Sequence, residues 1–128
     1  MKRRIKKMNV LLIIGIVVFM TVLGQIFIKK GMNNVGKITL KDMFSKRIFE
    51  VVFDKFVFIG VSLYAFSMVF YLSAASMEDI SFVYPLIGMG YILTAILAWL
   101  FLGEKLSLMR IIGILLISFG AYIVVIKW

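Results

Sequence analysis

Four long apolar runs, separated by polar segments, dominate the pattern of the chain. They cover residues 9–28, 56–77, 80–103 and 108–126, and the single charge within them is Arg110, near the start of the last run. About 20 helical residues cross the hydrocarbon core of a bilayer, and a helix satisfies its own backbone hydrogen bonds there. The pattern therefore predicts an all-α integral membrane protein whose four transmembrane helices form one domain over residues 1–128.

The connection between the first two runs is much longer than the other two connections. Asp42, Lys46, Glu50 and Asp54 recur at every fourth position, and apolar residues occupy another face. This period predicts an amphipathic interfacial helix in the headgroup plane, with an ion pair between Lys46 and Glu50. A re-entrant or gating element is the alternative for this segment. The other connections, at 78–79 and 104–107, are short enough to make neighbouring helices antiparallel.

Composition and charge support a membrane location. The chain is 63% hydrophobic and 16% charged, whereas soluble domains are about 45–50% apolar and about 25% charged. The net charge is +9, and the basic residues that produce it flank the apolar runs. We therefore expect membrane lipids, including anionic ones, as partners and no nucleic acid. The Lys- and Ile-rich composition is typical of a bacterial protein, which places it in the cytoplasmic (inner) membrane.

The distribution of basic residues bears on the orientation of the chain. Five bases within residues 2–7, with Lys127 on the same side, favour cytoplasmic termini. Seven bases in the long connection lie on the opposite side. Two explanations stay open for this opposition: the chain inserts in both orientations, or the bases of the connection hold something anionic.

The chain lacks the side chains that most enzymes and metal sites use. It contains neither Cys nor His, and its six acids lie outside the apolar runs or at their ends. Acid–base catalysis, nucleophilic catalysis and metal binding rest largely on these residue types. We therefore expect no enzymatic activity, no metal and no cofactor, and no carboxylate at mid-membrane depth for proton coupling.

Several polar side chains within or beside the runs are candidates for substrate binding. Gln25 lies inside the first run, and Lys29 follows four residues later on the same face, with Lys30 beside it. Hydrogen bonding between helices is the alternative role of Gln25, and a snorkelling anchor is that of Lys29. The tyrosines at the spacing of seven, Tyr64 with Tyr71 and Tyr84 with Tyr91, predict a shared cavity with polar tips. An aromatic belt at the membrane boundary is the alternative for several aromatic residues, namely Tyr84, Trp99, Tyr122 and Trp128.

Proline and glycine positions predict a bend and a contact surface. In the third run Pro85, Gly88 and Gly90 predict a hinge, although close packing alone explains the glycines equally well. In the fourth run Gly113 and Gly120 are seven residues apart, as expected for a helix–helix interface. Four helices make a thin bundle for a transport pathway, so we expect a homodimer or a heterodimer with a related four-helix subunit.

These motifs together resemble a known group of transporters. The matching pieces are Gly24-Gln25 with Lys29-Lys30-Gly31, residues 81–86 (Ser-Phe-Val-Tyr-Pro-Leu), Gly90-Tyr91, residues 100–106 (Leu-Phe-Leu-Gly-Glu-Lys-Leu) and Ile112-Gly113. The chain is similar here to the drug/metabolite transporter superfamily in its four-helix form, a small multidrug resistance or EamA-like member. The resemblance covers about the first 30 and the last 60 residues, and it leaves out the long connection.

Two branches of this superfamily compete. The small multidrug resistance exporters are antiparallel homodimers with an essential Glu in the first helix, where this chain has Gln25, and with a Trp where it has Ile87. The flippase subunits for aminoarabinose-linked undecaprenyl phosphate favour a Gly-Gln pair, a Val-Tyr-Pro-Leu string and a longer first loop. The chain is more similar to the flippase subunits.

The resemblance implies a transporter that moves a polyprenyl-phosphate-linked lipid, without a built-in proton cycle. In this hypothesis Gln25, Lys29, Lys30 and the four tyrosines contact the head of the lipid, since lysine suits phosphate. The alternative is a small multidrug-resistance-type exporter of organic cations or small metabolites, in which Glu104 and the tyrosines bind the cation. A third possibility is a non-transporting membrane partner of a glycosyltransferase.

Overall fold

The computed structural model describes residues 1–126, and these are all-helical. Lys127, which adds to the charge of the terminal side, and Trp128, a candidate for the aromatic belt, lie outside the described residues. The helices of the described part are α1 (Lys2–Val35), α2 (Leu40–Met43), α3 (Arg47–Phe53), α4 (Lys55–Met77), α5 (Ile80–Gly88), α6 (Gly90–Leu102) and α7 (Leu108–Ile126).

The predicted membrane helices are confirmed as four long, apolar helical segments. They are α1, α4, the α5–α6 segment Ile80–Leu102, and α7. The first helix is longer at both ends than residues 9–28, because its basic flanks continue the helix. It ends at Gly36, whose φ of 92° lies in the left-handed region that glycine adopts without steric cost.

The long connection forms two short helices instead of one amphipathic helix. The Ser45 hydroxyl donates to the Asp42 carbonyl oxygen at 2.7 Å and accepts from the Arg47 N–H at 3.3 Å. Such local hydrogen bonds compete with a continuous helix, which explains the break at residues 44–46. Arg47, rather than Lys46, approaches Glu50, with Nε 3.7 Å from Oε2.

A capping box fixes the start of α2. The Asp42 carboxylate accepts from the Thr39 N–H and hydroxyl, both at 2.9 Å, and the Thr39 hydroxyl accepts from the Asp42 N–H at 3.4 Å. These hydrogen bonds from Thr39, with a smaller contribution from the Arg47 guanidinium, lower the pKa of Asp42 below its ordinary value of 3.8.

The tightest packing lies between α1 and α4, which run antiparallel. Three glycines allow this approach: a Cβ at Gly60 would lie 2.6 Å from the Gly24 carbonyl oxygen and 2.8 Å from the Ile28 nitrogen. A Cβ at Gly31 would lie 2.8 Å from the Val57 nitrogen. Because these neighbours are backbone atoms, they have no flexible side chain to move aside. The two helices therefore form the framework on which the others pack.

The two ends of the bundle differ in content. Residues 2–7 and 78–79 lie at one end, the terminal end, where Lys6 Nζ is 3.5 Å from Glu78 Oε1. A buried apolar cluster adjoins this end, formed by Val10, Ile14, Ala74, Phe82, Val83 and Leu86. Residues 36–54 and 103–107 lie at the opposite end, the loop end. Between these ends, the packing of α5 and α6 against α1 leaves a cavity.

Candidate functional site

A cavity of about 650 Å³ lies inside the helical bundle. Residues of α1, α4, α5, α6 and α7 line it, and it is partly open between the helices. Most of its wall is apolar, with a small number of hydroxyl and amide groups. Ligand sites in membrane and soluble proteins commonly have this character, in which apolar walls supply affinity and a few polar groups orient the ligand.

The polar centre of the cavity is a hydrogen bond between α1 and α4. Gln25 Nε2 donates to the Tyr64 hydroxyl at 2.8 Å, and the Thr94 hydroxyl of α6 lies 3.4 Å from Gln25 Oε1. The Thr94 hydroxyl also lies 2.9 Å from the Gly90 carbonyl oxygen. One glutamine thus links three helices, α1, α4 and α6, and polar contacts of this kind commonly join helices in membrane proteins.

A second polar contact lies one turn further along the same two helices. The Thr21 hydroxyl is 3.4 Å from the Ser67 Oγ atom, and Ser67 donates to the Tyr64 carbonyl oxygen at 2.8 Å. Sequence reasoning missed Thr21, Ser67 and Thr94. Thr21 precedes Gln25 by four residues and Ser67 follows Tyr64 by three, so helical spacing from the two named residues identifies both. Thr94 follows the candidate Tyr91 by three residues on α6, so the same spacing identifies it as well.

All four candidate tyrosines line this cavity. Tyr64 and Tyr71 reach it from α4, whereas Tyr84 and Tyr91 reach it from α5 and α6. Three of them remain more than one third exposed, namely Tyr64, Tyr84 and Tyr91. These three side chains are therefore accessible to a ligand that enters the cavity.

The candidate hinge residues lie at the break between α5 and α6. Pro85, Gly88 and Gly90 line the cavity, and Met89 separates the two helices. Pro85 has no N–H to donate, and the Met89 N–H donates to the Leu86 carbonyl oxygen at 3.1 Å, three residues back. Gly90 also permits close packing, because a Cβ there would lie 3.0 Å from Val18 Cγ1. Motion about this break stays a prediction.

Three candidate residues lie outside the cavity. Lys29 and Lys30 are exposed on α1, beyond Gln25 toward the loop end. Glu104 lines a smaller cavity of about 330 Å³ between α6 and α7, together with Arg110. The two cavities share Tyr91 and Thr94, so the smaller one continues the larger one toward the loop end.

The glycines Gly113 and Gly120 lie away from the cavity. A Cβ added at either position meets nothing within 4 Å. Both positions are therefore open on the surface of α7, and their role in a dimer stays a prediction.

The residues that line the cavity are uncharged, so they bind a ligand without forming ion pairs. Within the described part of the chain, its lining contains no Asp, Glu, Lys or Arg. Residues 1–126 also hold no group of three or more metal-ligating His, Cys, Asp or Glu side chains. The lining offers tyrosine and threonine hydroxyls, a glutamine amide and aromatic faces, which bind and orient a ligand by hydrogen bonds and ring contacts.

The sequence of the chain matches one known protein family. The model of the EamA-like transporter family matches residues 1–126. The chain belongs to the EamA-like transporter family. No curated protein and no solved structure matches it significantly. The resemblance to the drug/metabolite transporter superfamily is confirmed at this level. The chain is thus a multi-pass membrane transporter of the EamA-like family, and its helical bundle contains the cavity described above.

Proposed function

We propose that this EamA-like chain moves a polyprenyl-phosphate-linked lipid across the bacterial cytoplasmic membrane, with its termini on the cytoplasmic side. The observation that carries this proposal is the uncharged cavity, which places a few hydrogen-bonding groups in a largely apolar wall and opens between apolar helices. A lipid-linked substrate needs a polar route for its head and an opening through which its long tail stays in the bilayer. The Gln25–Tyr64 pair supplies the first requirement, and the gap between the helices supplies the second.

The hydrogen-bonding groups of the cavity fit the polar part of such a head. Hydroxyls of a sugar exchange hydrogen bonds with tyrosine, threonine and glutamine side chains, and its ring packs on aromatic faces. The phosphate carries the charge, and lysines at the loop end suit it. In this arrangement the sugar occupies the cavity while the phosphate stays near the membrane boundary.

Net flow in this proposal follows the concentration gradient of the lipid. The lining of the cavity, as far as residues 1–126 describe it, offers no carboxylate that exchanges a proton for a substrate. Consumption of the lipid on the far side is then sufficient to drive translocation. A proton current coupled to lipid movement in proteoliposomes would contradict this part of the proposal.

Export of an organic cation is the second candidate, and the tyrosine rings favour it. Four rings around one cavity offer cation–π contacts to a quaternary ammonium group. The position of Glu104 in the smaller cavity argues against it, because the carboxylate does not line the space in which the rings meet. A cation in the larger cavity would therefore have no opposite charge beside it.

The test is a translocation assay with matched hydroxyl deletions. The protein is reconstituted into liposomes that contain a polyprenyl-phosphate-linked sugar, and exposure of the sugar on the far leaflet is measured. Tyr64→Phe should slow translocation roughly fivefold, as expected for loss of one hydrogen bond of about 1 kcal/mol. Ser62→Ala is the control, since its hydroxyl bonds to the Phe58 carbonyl oxygen of its own helix, outside the cavity lining.

The outcomes separate the two candidates. Translocation that slows in Tyr64→Phe and persists in Ser62→Ala and Glu104→Gln supports the lipid transporter. The proposal is overturned if the wild-type protein translocates no lipid but transports a quaternary ammonium ion. Loss of that transport in Glu104→Gln would then support the exporter.

A further inference from the structure

Two lysines converge on one aromatic ring at the loop end of the α1–α4 pair. Lys30 Nζ lies 4.6 Å from the centroid of the Phe56 ring, and Lys55 Nζ lies 5.2 Å from the same centroid. The two ammonium groups are therefore closer to each other than the Debye length of about 10 Å at 0.1 M ionic strength. Two like charges this close repel each other, and an anion that both ammonium groups contact would relieve the repulsion.

The ring that both lysines contact is itself held by packing between α1 and α4. Phe56 is half-buried in the first turn of α4, and it stacks on Phe27 of α1 with centroids 6.2 Å apart and planes at 20°. The closely packed glycines of α1 and α4 lie one to two turns away on the same two helices. The lysines thus emerge from the most tightly packed part of the molecule and not from a loose loop.

Neither lysine has a carboxylate partner within 4 Å in the described part of the chain. The ion pairs among residues 1–126 join Lys6 to Glu78 and Arg47 to Asp42 and Glu50. Asp54 is the acid next to Lys55 along the chain, and its Oδ1 atom accepts from the N–H groups of Phe56 and Val57 at 2.9 and 3.0 Å. This carboxylate caps α4, so both ammonium groups keep donors for another anion.

The position of the site matches the boundary of the membrane. Lys30 follows the apolar part of α1, and Lys55 precedes the apolar part of α4. Along α4, Phe56 lies eight residues before Tyr64, which corresponds to about 12 Å at the helical rise of 1.5 Å per residue. A group held by the two lysines therefore lies at headgroup level, on the same pair of helices as the polar centre of the cavity.

We infer that Lys30, Lys55 and Phe56 form a binding site for the phosphate group of a membrane lipid. Both ammonium groups donate charge-assisted hydrogen bonds to the phosphate oxygens, and the ring lies against the apolar carbons next to the phosphate. This inference deepens the proposed function, on which it rests for the identity of the lipid. It adds Lys55 and Phe56 to the candidate residues and gives Lys30, rather than Lys29, the contact with phosphate.

The experiment measures lipid binding by native mass spectrometry of the full chain, with polyprenyl phosphate, phosphatidylglycerol and the uncharged diacylglycerol as probes. The double variant Lys30→Gln with Lys55→Gln should lose affinity for both phosphate lipids by roughly tenfold or more. The double Arg variant of the same positions should retain it, because the charges and donors remain. Diacylglycerol binding should not change, which shows that the variants are folded. Lys37→Gln with Lys41→Gln is the control, since it removes the same two charges from exposed positions at the same end.

Three results would overturn the inference. The first is unchanged phosphate-lipid binding in the double Gln variant. The second is an equal loss in the double control variant of Lys37 and Lys41, which would indicate an effect of general surface charge. The third is displacement of the lipid by inorganic phosphate at equal concentration, which would make the site one for a free anion. We expect no such displacement, because the lipid tail adds contacts with the helices.

This result is separable from the translocation assay. If the wild-type protein moves no polyprenyl lipid but phosphate-lipid binding depends on the two lysines, the proposed function fails and the site stands. If translocation depends on Tyr64 but phosphate-lipid binding does not change when both lysines are replaced, the site fails and the proposed function stands.

Discussion

Two helices of this protein carry glycines at the same spacing, yet they have opposite surroundings. Gly24 and Gly31 on α1, which we name the α1 glycine face, contact α4 so closely that added Cβ atoms would meet its backbone. Gly113 and Gly120 on α7, the α7 glycine face, contact nothing within 4 Å of such an atom. The spacing of seven residues creates a smooth helix face in both cases, but it does not specify the partner.

The two helices also differ in burial, since α1 is more buried within the chain than α7. In the most apolar 18-residue window of α1, 28% of the residues are buried, whereas the corresponding share in α7 is 6%. The α1 glycine face has its partner within the chain. We propose that the α7 glycine face has its partner in a second copy or in a related four-helix subunit.

Gly60→Ala should have the largest effect, because it opposes the α1 glycine face. Its Cβ would lie under 3 Å from backbone atoms of Gly24 and Ile28, so α1 and α4 must move apart. Overpacking of this kind costs typically about 1–3 kcal/mol, and the thermal unfolding midpoint in detergent should fall accordingly. Gly15→Ala is the control: a Cβ there meets nothing within 4 Å, and the midpoint should stay the same or rise. Equal midpoints for the two variants would remove the basis of the comparison.

Leucine at both Gly113 and Gly120 should act on assembly and leave the monomer folded. The added side chains have space within the chain, so the unfolding midpoint of the monomer should change little. They would nevertheless separate two α7 faces that pack against each other. Light scattering of the purified protein should report a dimer for the wild type and a monomer for the double variant. A wild-type dimer that tolerates both leucines would contradict the role assigned to this face, and a wild-type monomer would exclude a second copy as its partner.

Tyr64→Phe should destabilise the α1–α4 pair less than Gly60→Ala does. It removes the 2.8 Å hydrogen bond from Gln25 without disturbing the glycine contacts. A single hydrogen bond contributes about 1 kcal/mol to stability, so the midpoint should fall by less than in the glycine variant. A larger fall in Tyr64→Phe would mean that the polar centre, and not the glycine packing, holds the two helices together.

Acidification should have the smallest effect and should spare the α1 glycine face. Since its hydrogen bonds with Thr39 lower the pKa of Asp42, the α2 cap is fully stabilised above the ordinary pKa of 3.8. This stabilisation is lost as the pH falls below 3.8 through the folded-state pKa. Amide exchange corrected for intrinsic rates should show weaker protection of Thr39 at pH 3 than at pH 6. Protection around Gly24 and Gly60 should not change, and equal loss there would show that the connection helps to hold the helices together.

The membrane helices were predictable because their signal is local. A run of about 20 apolar residues has few other solutions in a bilayer, and the bounds of α4 and α7 agree closely with the predicted runs. The connection was less predictable, since Ser45 forms local hydrogen bonds that interrupt a regular apolar period. The break near Met89 lies between Gly88 and Gly90, two residues that the sequence already assigns to the predicted hinge.

The candidate site was predictable where helical spacing places residues on one face. The spacing of seven residues within each pair of tyrosines predicted a shared cavity, and all four tyrosines line one cavity in the structure. The contacts between helices depend on tertiary packing, which explains why the sequence did not identify Gly60 as a contact residue. For the same reason Lys30 was grouped with Lys29 by sequence, whereas the structure brings it to Phe56 and Lys55.

The most direct test of the account is to locate the head of the lipid in the protein. A polyprenyl-phosphate-linked sugar with a photoreactive group on the sugar is incorporated into proteoliposomes, and the crosslinked residues are mapped by mass spectrometry. The account predicts labels on the cavity segments around Gln25, Tyr64 and Tyr91, which excess unlabelled lipid prevents. Labels confined to the outer surface of α7, or unaffected by that competition, would contradict it.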